Sequence, residues 1–159
     1  PTRRSSEIGR ASCRERVYKV LRIATCHKPR KLVSMVRERG NDSCGVALDT
    51  TNKEIFNLLP NVTPFGFEVS HDSGIMLANL VCVDPHTDPS VGLLHTSHSV
   101  FGLLAGGKDL RLFVRNNDEW IVTKMRPGNW VLFEDCKEHM VLAESKWCGV
   151  AFQVKELTV

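Results

Sequence analysis

The sequence predicts a mainly β fold, a compact two-sheet jelly roll preceded by one or two short N-terminal helices. Three observations carry this. Strand-like segments recur at regular spacing from Phe65 onward, turn signals separate them, and the two segments with helical punctuation both end before Pro64. At 159 residues the chain fits one domain. Its 42% hydrophobic and 25% charged residues are ordinary for a globular protein and exclude disordered and fibrous classes.

Residues 1–17 do not read as part of that fold. They show no apolar periodicity and only two strongly apolar side chains, Ile8 and Val17. Ile8–Val17 back-translates to a string that resembles a common sequencing-library adapter read in one frame, so residues 1–17 are expected to be a non-native scar. The chain also opens without Met, and its native N-terminus is expected to lie outside it. The segment holds five Arg and two Glu, which accounts for the whole formal charge of +3. The remainder is neutral, so nucleic acid and anionic membranes are not indicated as partners. The apolar run Ser73–Val83 is too short for a bilayer-spanning helix of about 20 residues, and no secretory signal opens the chain. Cys13, Cys26, Cys44, Cys82, Cys136 and Cys148 lack CxxC spacing, which predicts reduced thiols and a cytoplasmic location.

Residues 18–64 read as an N-terminal helical support region. Tyr18–Thr25 alternates as a strand does. Pro29 opens a helix whose apolar side is Leu32, Val33, Met35 and Val36 and which Gly40 closes, Pro in the first turn and Gly past the end being regular helix punctuation. Asn41–Gly45 is a turn. Thr51–Leu59 predicts a second short helix, capped by Thr51 or Asn52, with Ile55, Phe56, Leu58 and Leu59 on its apolar side and Pro60 and Pro64 ending it.

Residues 65–159 form the predicted β core. Its strands are Phe65–His71, Ile75–Val83, Ser97–Leu104, Asp109–Val114, Glu119–Lys124, Asn129–Phe133, His139–Ala143 and Cys148–Lys155. The turn signals between them are Asp72-Ser73-Gly74, Gly106-Gly107, Asn116-Asn117-Asp118, Arg126-Pro127-Gly128 and Glu144-Ser145-Lys146.

Three residues carry candidate chemistry. His86 and Asp88 form an H-x-D pair just past a strongly apolar strand, and His139 lies 53 positions beyond His86 at the start of a later one. Residues i and i+2 of a strand point to one side, so the pair can supply two metal ligands from one strand end. Two imidazoles and one carboxylate on one face of a metal leave the opposite positions open, an arrangement suited to non-haem Fe(II).

With these residues in place, the chain resembles the Fe(II)/2-oxoglutarate-dependent oxygenase superfamily. The likeness rests on His86-Thr87-Asp88, Glu119-Trp120-Ile121-Val122, Arg126-Pro127-Gly128-Asn129-Trp130-Val131-Leu132-Phe133 and Glu138-His139, and it spans roughly Ile75 to Val154. It implies a double-stranded β-helix (cupin-like) core and iron held by His86, Asp88 and His139. It also implies oxidation of a substrate C–H bond coupled to decarboxylation of 2-oxoglutarate. The implied partners are O2 and a small-molecule or macromolecular substrate, bordered by the loop Pro89–Ser97 and the N-terminal region. The family usually grips the distal carboxylate of 2-oxoglutarate with a basic residue about ten positions after the distal His, where this chain has Gly149. Arg111 is the preferred substitute, because a guanidinium forks onto a carboxylate, and Lys146 is the second candidate.

Each of these residues also has a plain structural account. His86 and Asp88 fit a turn in which Asp88 caps backbone amides before Pro89, and His139 fits a satisfied histidine at a strand start. His95 and His98 form a rival pair whose i, i+3 spacing suits a helical turn, while His27 and His71 look incidental. Arg111 fits a solvated strand residue, Trp120, Trp130 and Trp147 fit core or rim aromatics, and Cys136 and Cys148 fit buried small hydrophobes. Two rival functions follow. One is a cupin-like metal enzyme that does not use 2-oxoglutarate, favoured by Gly149, and the other is a metal-free jelly-roll binding module.

Overall fold

The computed structural model describes residues 21–23, 34, 46–70, 74–88 and 98–157. The expected scar at 1–17, the turn at 41–45, the loop at 89–97 and most of the helix expected after Pro29 lie outside these residues, although Ser34 is helical. The strands are β1 (Leu21–Ile23), β2 (Val46–Leu48), β3 (Phe67–Val69), β4 (Gly74–His86), β5 (His98–Gly106), β6 (Arg111–Asn116), β7 (Glu119–Lys124), β8 (Trp130–Glu134) and β9 (His139–Glu156). A short helix α1 (Lys53–Phe56) and a 3-10 turn at Thr63–Phe65 precede β3.

All described pairings are antiparallel, and two long strands organise them. The second half of β9 lies between β4 and β5 in a major sheet ordered β1-β8-β5-β9-β4-β2, with β3 beside the end of β9. The first half of β9 pairs with β6, which pairs with β7, and with the end of β4, making a smaller sheet. β4 and β9 thus run through both sheets and curl one onto the other, the jelly-roll arrangement expected. β1, within the strand expected at Tyr18–Thr25, and β2 extend the major sheet at β8 and β4.

The curl has local causes. β4 shifts register between Leu77 and Leu80, where Asn79 takes the left-handed conformation at φ 58° that Asn tolerates. Strand β9 differs from expectation, because His139–Ala143 and Cys148–Lys155 are one continuous strand. The Glu144-Ser145-Lys146 triplet bends instead of reversing, since residues 107–108 hold it. Gly107 N–H donates to the Lys146 carbonyl at 3.1 Å, Glu144 N–H to the Lys108 carbonyl at 2.9 Å and Lys108 N–H to Ser145 Oγ at 2.9 Å. β4 likewise runs past Val83 to His86, so it reaches the candidate site.

Period-two alternation sorts the side chains of the major sheet onto two buried faces. Val100, Leu104, Trp130, Leu132, Val150, Phe152 and Val154 pack outward against Ile55, Leu58 and Val62 of the N-terminal region. Phe101, Leu103, Val131, Phe133 and Trp147 pack inward against Leu112, Val114 and Val141 of the smaller sheet. Burial on both faces explains why Ser99–Leu104 is buried at every position. Gly102 is required there, because a Cβ would run into the Trp130 indole, which is itself 0% exposed. α1 is capped by the Asn52 side chain, which accepts from Glu54 N–H at 2.9 Å. Its Ile55 is buried and Leu58 after it too, but Phe56, about 100° round the helix, is 50% exposed and does not belong to the apolar side expected.

Candidate metal centre

β4 ends on His86 and β9 begins on His139, and the two are register partners. The pairing of these two strands therefore brings together residues far apart in the chain. Asp88, two residues past the end of β4, completes the set, and one ligand atom from each of the three lies within 4.8 Å of the others. The His86 and His139 rings sit 4.3 Å apart between centroids, and Phe133 backs His139 at 4.9 Å.

Each imidazole is oriented by a carbonyl two residues before it. His86 Nδ1 lies 2.7 Å from the Asp84 carbonyl and His139 Nδ1 lies 2.8 Å from the Lys137 carbonyl. A carbonyl only accepts, so Nδ1 carries the proton and Nε2 is left as the free lone pair in the neutral ring. Both Nε2 atoms then face Asp88, at 3.1 Å from Oδ1 for His86 and 3.5 Å from Oδ2 for His139. Adjacent donors around an octahedral ion at about 2.1 Å are about 3.0 Å apart, close to these separations. Two imidazole lone pairs and a carboxylate that converge with no donor between them among the described residues form a site for a cation. The residues fit a metal.

Without a cation, protons hold the same atoms together. Burial pushes His139 down, but the Asp88 hydrogen bond, the Lys137 carbonyl and the charges of Asp88 and Asp135 outweigh it and raise its pKa above the ordinary 6.5. Burial pushes Asp88 up, and the hydrogen bonds and charges of His139 and His86 overcome this and hold it below the ordinary 3.8. His86 and Asp88 keep side-chain exposures of 40% and 29%, so one side of the trio is open, while His139 is 6% exposed.

The amides that Asp88 would cap under the turn reading lie past it, outside the described residues. Its carboxylate faces the two histidines, and its own N–H donates to the Asp135 carbonyl at 3.1 Å. His95, His27 and His71 lie outside the described residues. His98 stands apart from the trio, with Nε2 3.9 Å from Glu134 and its ring against Phe67. Trp130 and Trp147 are core residues, and Trp120 lies under Arg115. Cys148 is buried in the outward cluster and Cys136 is exposed.

The two residues expected to grip a co-substrate carboxylate are placed elsewhere. Arg111 is exposed, on the face of β6 opposite the inward Leu112 and Val114, beside Lys124 and the exposed Leu142. Lys146 is exposed at the bend of β9. The period-two alternation of β6 turns Arg111 outward, and the bend turns Lys146 outward. Gly149 does face inward, paired with Leu77 and Leu103, but its space is taken. A Cβ there would sit 2.6 Å from the Gly102 carbonyl, 3.1 Å from the Trp147 ring and 3.2 Å from the Phe101 ring. No Lys or Arg is among the buried residues described.

The sequence reading missed Asp135. It is 1% exposed at the end of β8, and its Oδ2 accepts from Ser99 Oγ at 2.6 Å and from Gln153 Nε2 at 3.5 Å. Burial raises its pKa, offset in part by Ser99, and the nearby Asp88 charge raises it further. An acid two positions past the buried run Trp130–Phe133, in the inward register of Val131 and Phe133, was the available signal.

No protein-family model matches the chain, and no curated protein sequence does. Solved structures do match. The non-haem alpha-ketoglutarate-dependent epimerase SnoN from nogalamycin biosynthesis is similar over 97% of this chain and 85% of its own, with a TM-score of 0.63 and 11% identity. The carbocyclase SnoK from the same biosynthesis is similar over 89% and 81%, with a TM-score of 0.62 and 13% identity. A 2OG-Fe(II) oxygenase family oxidoreductase from Burkholderia pseudomallei is similar over 81% and 78%, with a TM-score of 0.59 and 12% identity. The chain therefore has the jelly-roll fold shared by these Fe(II)/2-oxoglutarate oxygenases, with a His/Asp/His set that could form an HxD…H site. No described helix is long and apolar enough to cross a membrane.

Proposed function

We propose that this chain is a non-haem Fe(II) oxygenase, an oxidoreductase that uses O2 and whose iron is held by His86, Asp88 and His139. The observation that supports it is the convergence of both Nε2 atoms on the Asp88 carboxylate, each imidazole held in the matching tautomer by a carbonyl. His86, Asp88 and His139 would hold a ferrous ion from one face, which would leave it able to take O2 and a second ligand. Asp88 offsets one of its two charges, Phe133 and the depth of His139 keep water from one side, and exposed His86 leaves the other side accessible. In a metal-free binding module the same acceptors would need a protonated imidazole in the interior to hold them together.

The fold neighbours favour 2-oxoglutarate as the second ligand, SnoN having been seen with Fe3+ and alpha ketoglutarate. The interior described in this chain does not fit that dianion. Its far end is closed by Phe101 and Trp147 over Gly149, and beside buried His139 the buried side chain it offers is the acid Asp135. A buried carboxylate without a cation or donors is strongly disfavoured. That observation favours a second reading, a cupin-like metal enzyme with the same iron ligands and a co-substrate other than 2-oxoglutarate.

Anaerobic Fe(II) titration followed by 2-oxoglutarate, in wild type and His139→Ala, separates the readings. Iron binding by wild type alone, with no visible charge-transfer band on adding 2-oxoglutarate, is the outcome for the second reading. A band requiring both additions and lost in His139→Ala establishes a 2-oxoglutarate oxygenase. Absence of iron binding overturns both.

A further inference from the structure

We propose that Asp135 is a positioning residue of the metal centre, tying the turn after β8 to the sheet so that the turn can hold His139 and Asp88 in place. The proposal rests on the metal reading above and concerns this chain's own residues.

Nothing in the packing of β8 calls for an acid at this point. The strand is apolar from Trp130 to Phe133, and an aliphatic side chain would continue it without the cost of burying a carboxylate. Asp135 is instead buried and bonded. Ser99 on β5 donates to Oδ2 at 2.6 Å and Gln153 on β9 donates to the same oxygen at 3.5 Å. Ser99 and Gln153 are register partners, so the carboxylate is fastened to two adjacent strands at one level.

The turn so fastened touches the metal site twice through its backbone. The Asp135 carbonyl accepts from Asp88 N–H at 3.1 Å, and the Lys137 carbonyl holds His139 Nδ1 at 2.8 Å. Lys137 N–H closes the turn on the Glu134 carbonyl at 3.3 Å. One four-residue turn therefore sets the place of the Asp88 backbone and the tautomer of His139. Freed from β5 and β9, it would lose the register that brings both ligands to one ion. Outer partners of metal ligands are typically worth about 10–100-fold in metal affinity.

The test measures Co(II) affinity by visible absorption, with thermal melting in parallel, in wild type, Asp135→Ala, Asp135→Asn, Ser99→Ala and Leu58→Ala. Leu58 is buried in the outward cluster and serves as a control for lost stability. Asp135→Ala is expected to weaken Co(II) binding about 10–100-fold. Asp135→Asn, which keeps an oxygen to accept from Ser99, is expected to recover most of that loss. Ser99→Ala is expected to lose about threefold, the scale of one hydrogen bond. Leu58→Ala should melt lower yet bind as wild type does. Folded Asp135→Ala with wild-type affinity overturns the proposal, as does a loss in Leu58→Ala equal to that in Asp135→Ala. Should Asp135→Ala not fold, wild-type affinity in Ser99→Ala together with failure of Asp135→Asn to bind overturns it. Wild type that binds no Co(II) removes the metal reading itself, which is a different result from any of these.

Discussion

Where β4 and β9 meet at His86 and His139, the interior turns two imidazoles and a carboxylate toward one point, each fixed by a backbone carbonyl or a neighbouring strand. Along β9 from Gln153, about 13 Å away at 3.3 Å per residue, the same interior holds Gly149 under the edge-to-face pair of Phe101 and Trp147. Among the described residues, one end is built of acceptors that face one another, and the other is built as a hydrophobic core. The fold neighbours are enzymes that use both a metal and 2-oxoglutarate. In this chain the His/Asp/His donors are brought together, while no Lys or Arg is among the buried residues described.

The comparison breaks most directly at the metal end. Asp88→Ala or His139→Ala should lower Fe(II) or Co(II) affinity by more than the roughly 100-fold that outer partners are worth, measured by anaerobic titration. If both bind as wild type does, the donors are not ligands and the contrast between the ends disappears. The opposite signature belongs to the far end. Trp147 is 2% exposed and its Nε1 donates to the Val81 carbonyl at 3.2 Å, so Trp147→Ala should cost about 3–5 kcal/mol of stability in urea unfolding. Its metal affinity should stay near wild type wherever the variant remains folded.

Proton linkage gives a smaller and graded effect. His139 is raised above 6.5, so in the metal-free protein its charged form contributes stability that is complete below pH 6.5 and is lost as pH rises through the raised value. Asp88 is lowered below 3.8, so its contribution is present above pH 3.8 and is lost as pH falls through the lowered value. The metal-free protein should therefore be most stable between these two windows. Metal must displace the His139 proton, so Co(II) affinity should climb about tenfold per pH unit until the raised value is passed and then level off. A flat affinity between pH 6 and 8, a range chosen to lie about the ordinary histidine value, would place the proton elsewhere.

How much of this was readable beforehand depended on range along the chain. The H-x-D pair was legible because strand alternation puts i and i+2 on one side, and the regular strand spacing made the jelly roll legible. The distal His139 is brought to the pair by the pairing of β4 with β9, and Phe133 reaches it from β8. The Glu144–Lys146 triplet read as a turn because its composition is polar, and its hydrogen-bond partners at residues 107–108 are distant in sequence. Asp135 was hidden for the same reason, its side-chain partners lying 36 and 18 residues away. Arg111 was different. Leu110, Leu112 and Val114 alternate inward, and that local pattern alone places Arg111 on the outer face.

Arg111 and Lys146 accordingly carry the smallest predicted effect, and it sharpens the comparison by being small. Both side chains are exposed, and Arg111 lies on the outer face of the smaller sheet with Leu112 and Val114 between it and the interior. Substitutions of such residues usually stay within about 0.5 kcal/mol of wild-type stability. Arg111→Ala and Lys146→Ala, singly and together, should leave both the melting temperature and Fe(II) affinity unchanged. Any 2-oxoglutarate binding that wild type shows should likewise survive in the double variant. Loss of that binding in Arg111→Ala alone, with the fold and iron site intact, would mean that β6 rotates to bring the guanidinium inward when ligand enters. Since Leu112 and Val114 would then have to leave the core, such a loss should come with a measurable change in tryptophan fluorescence from Trp120, which packs against Phe113 and Arg115 on the same strand face.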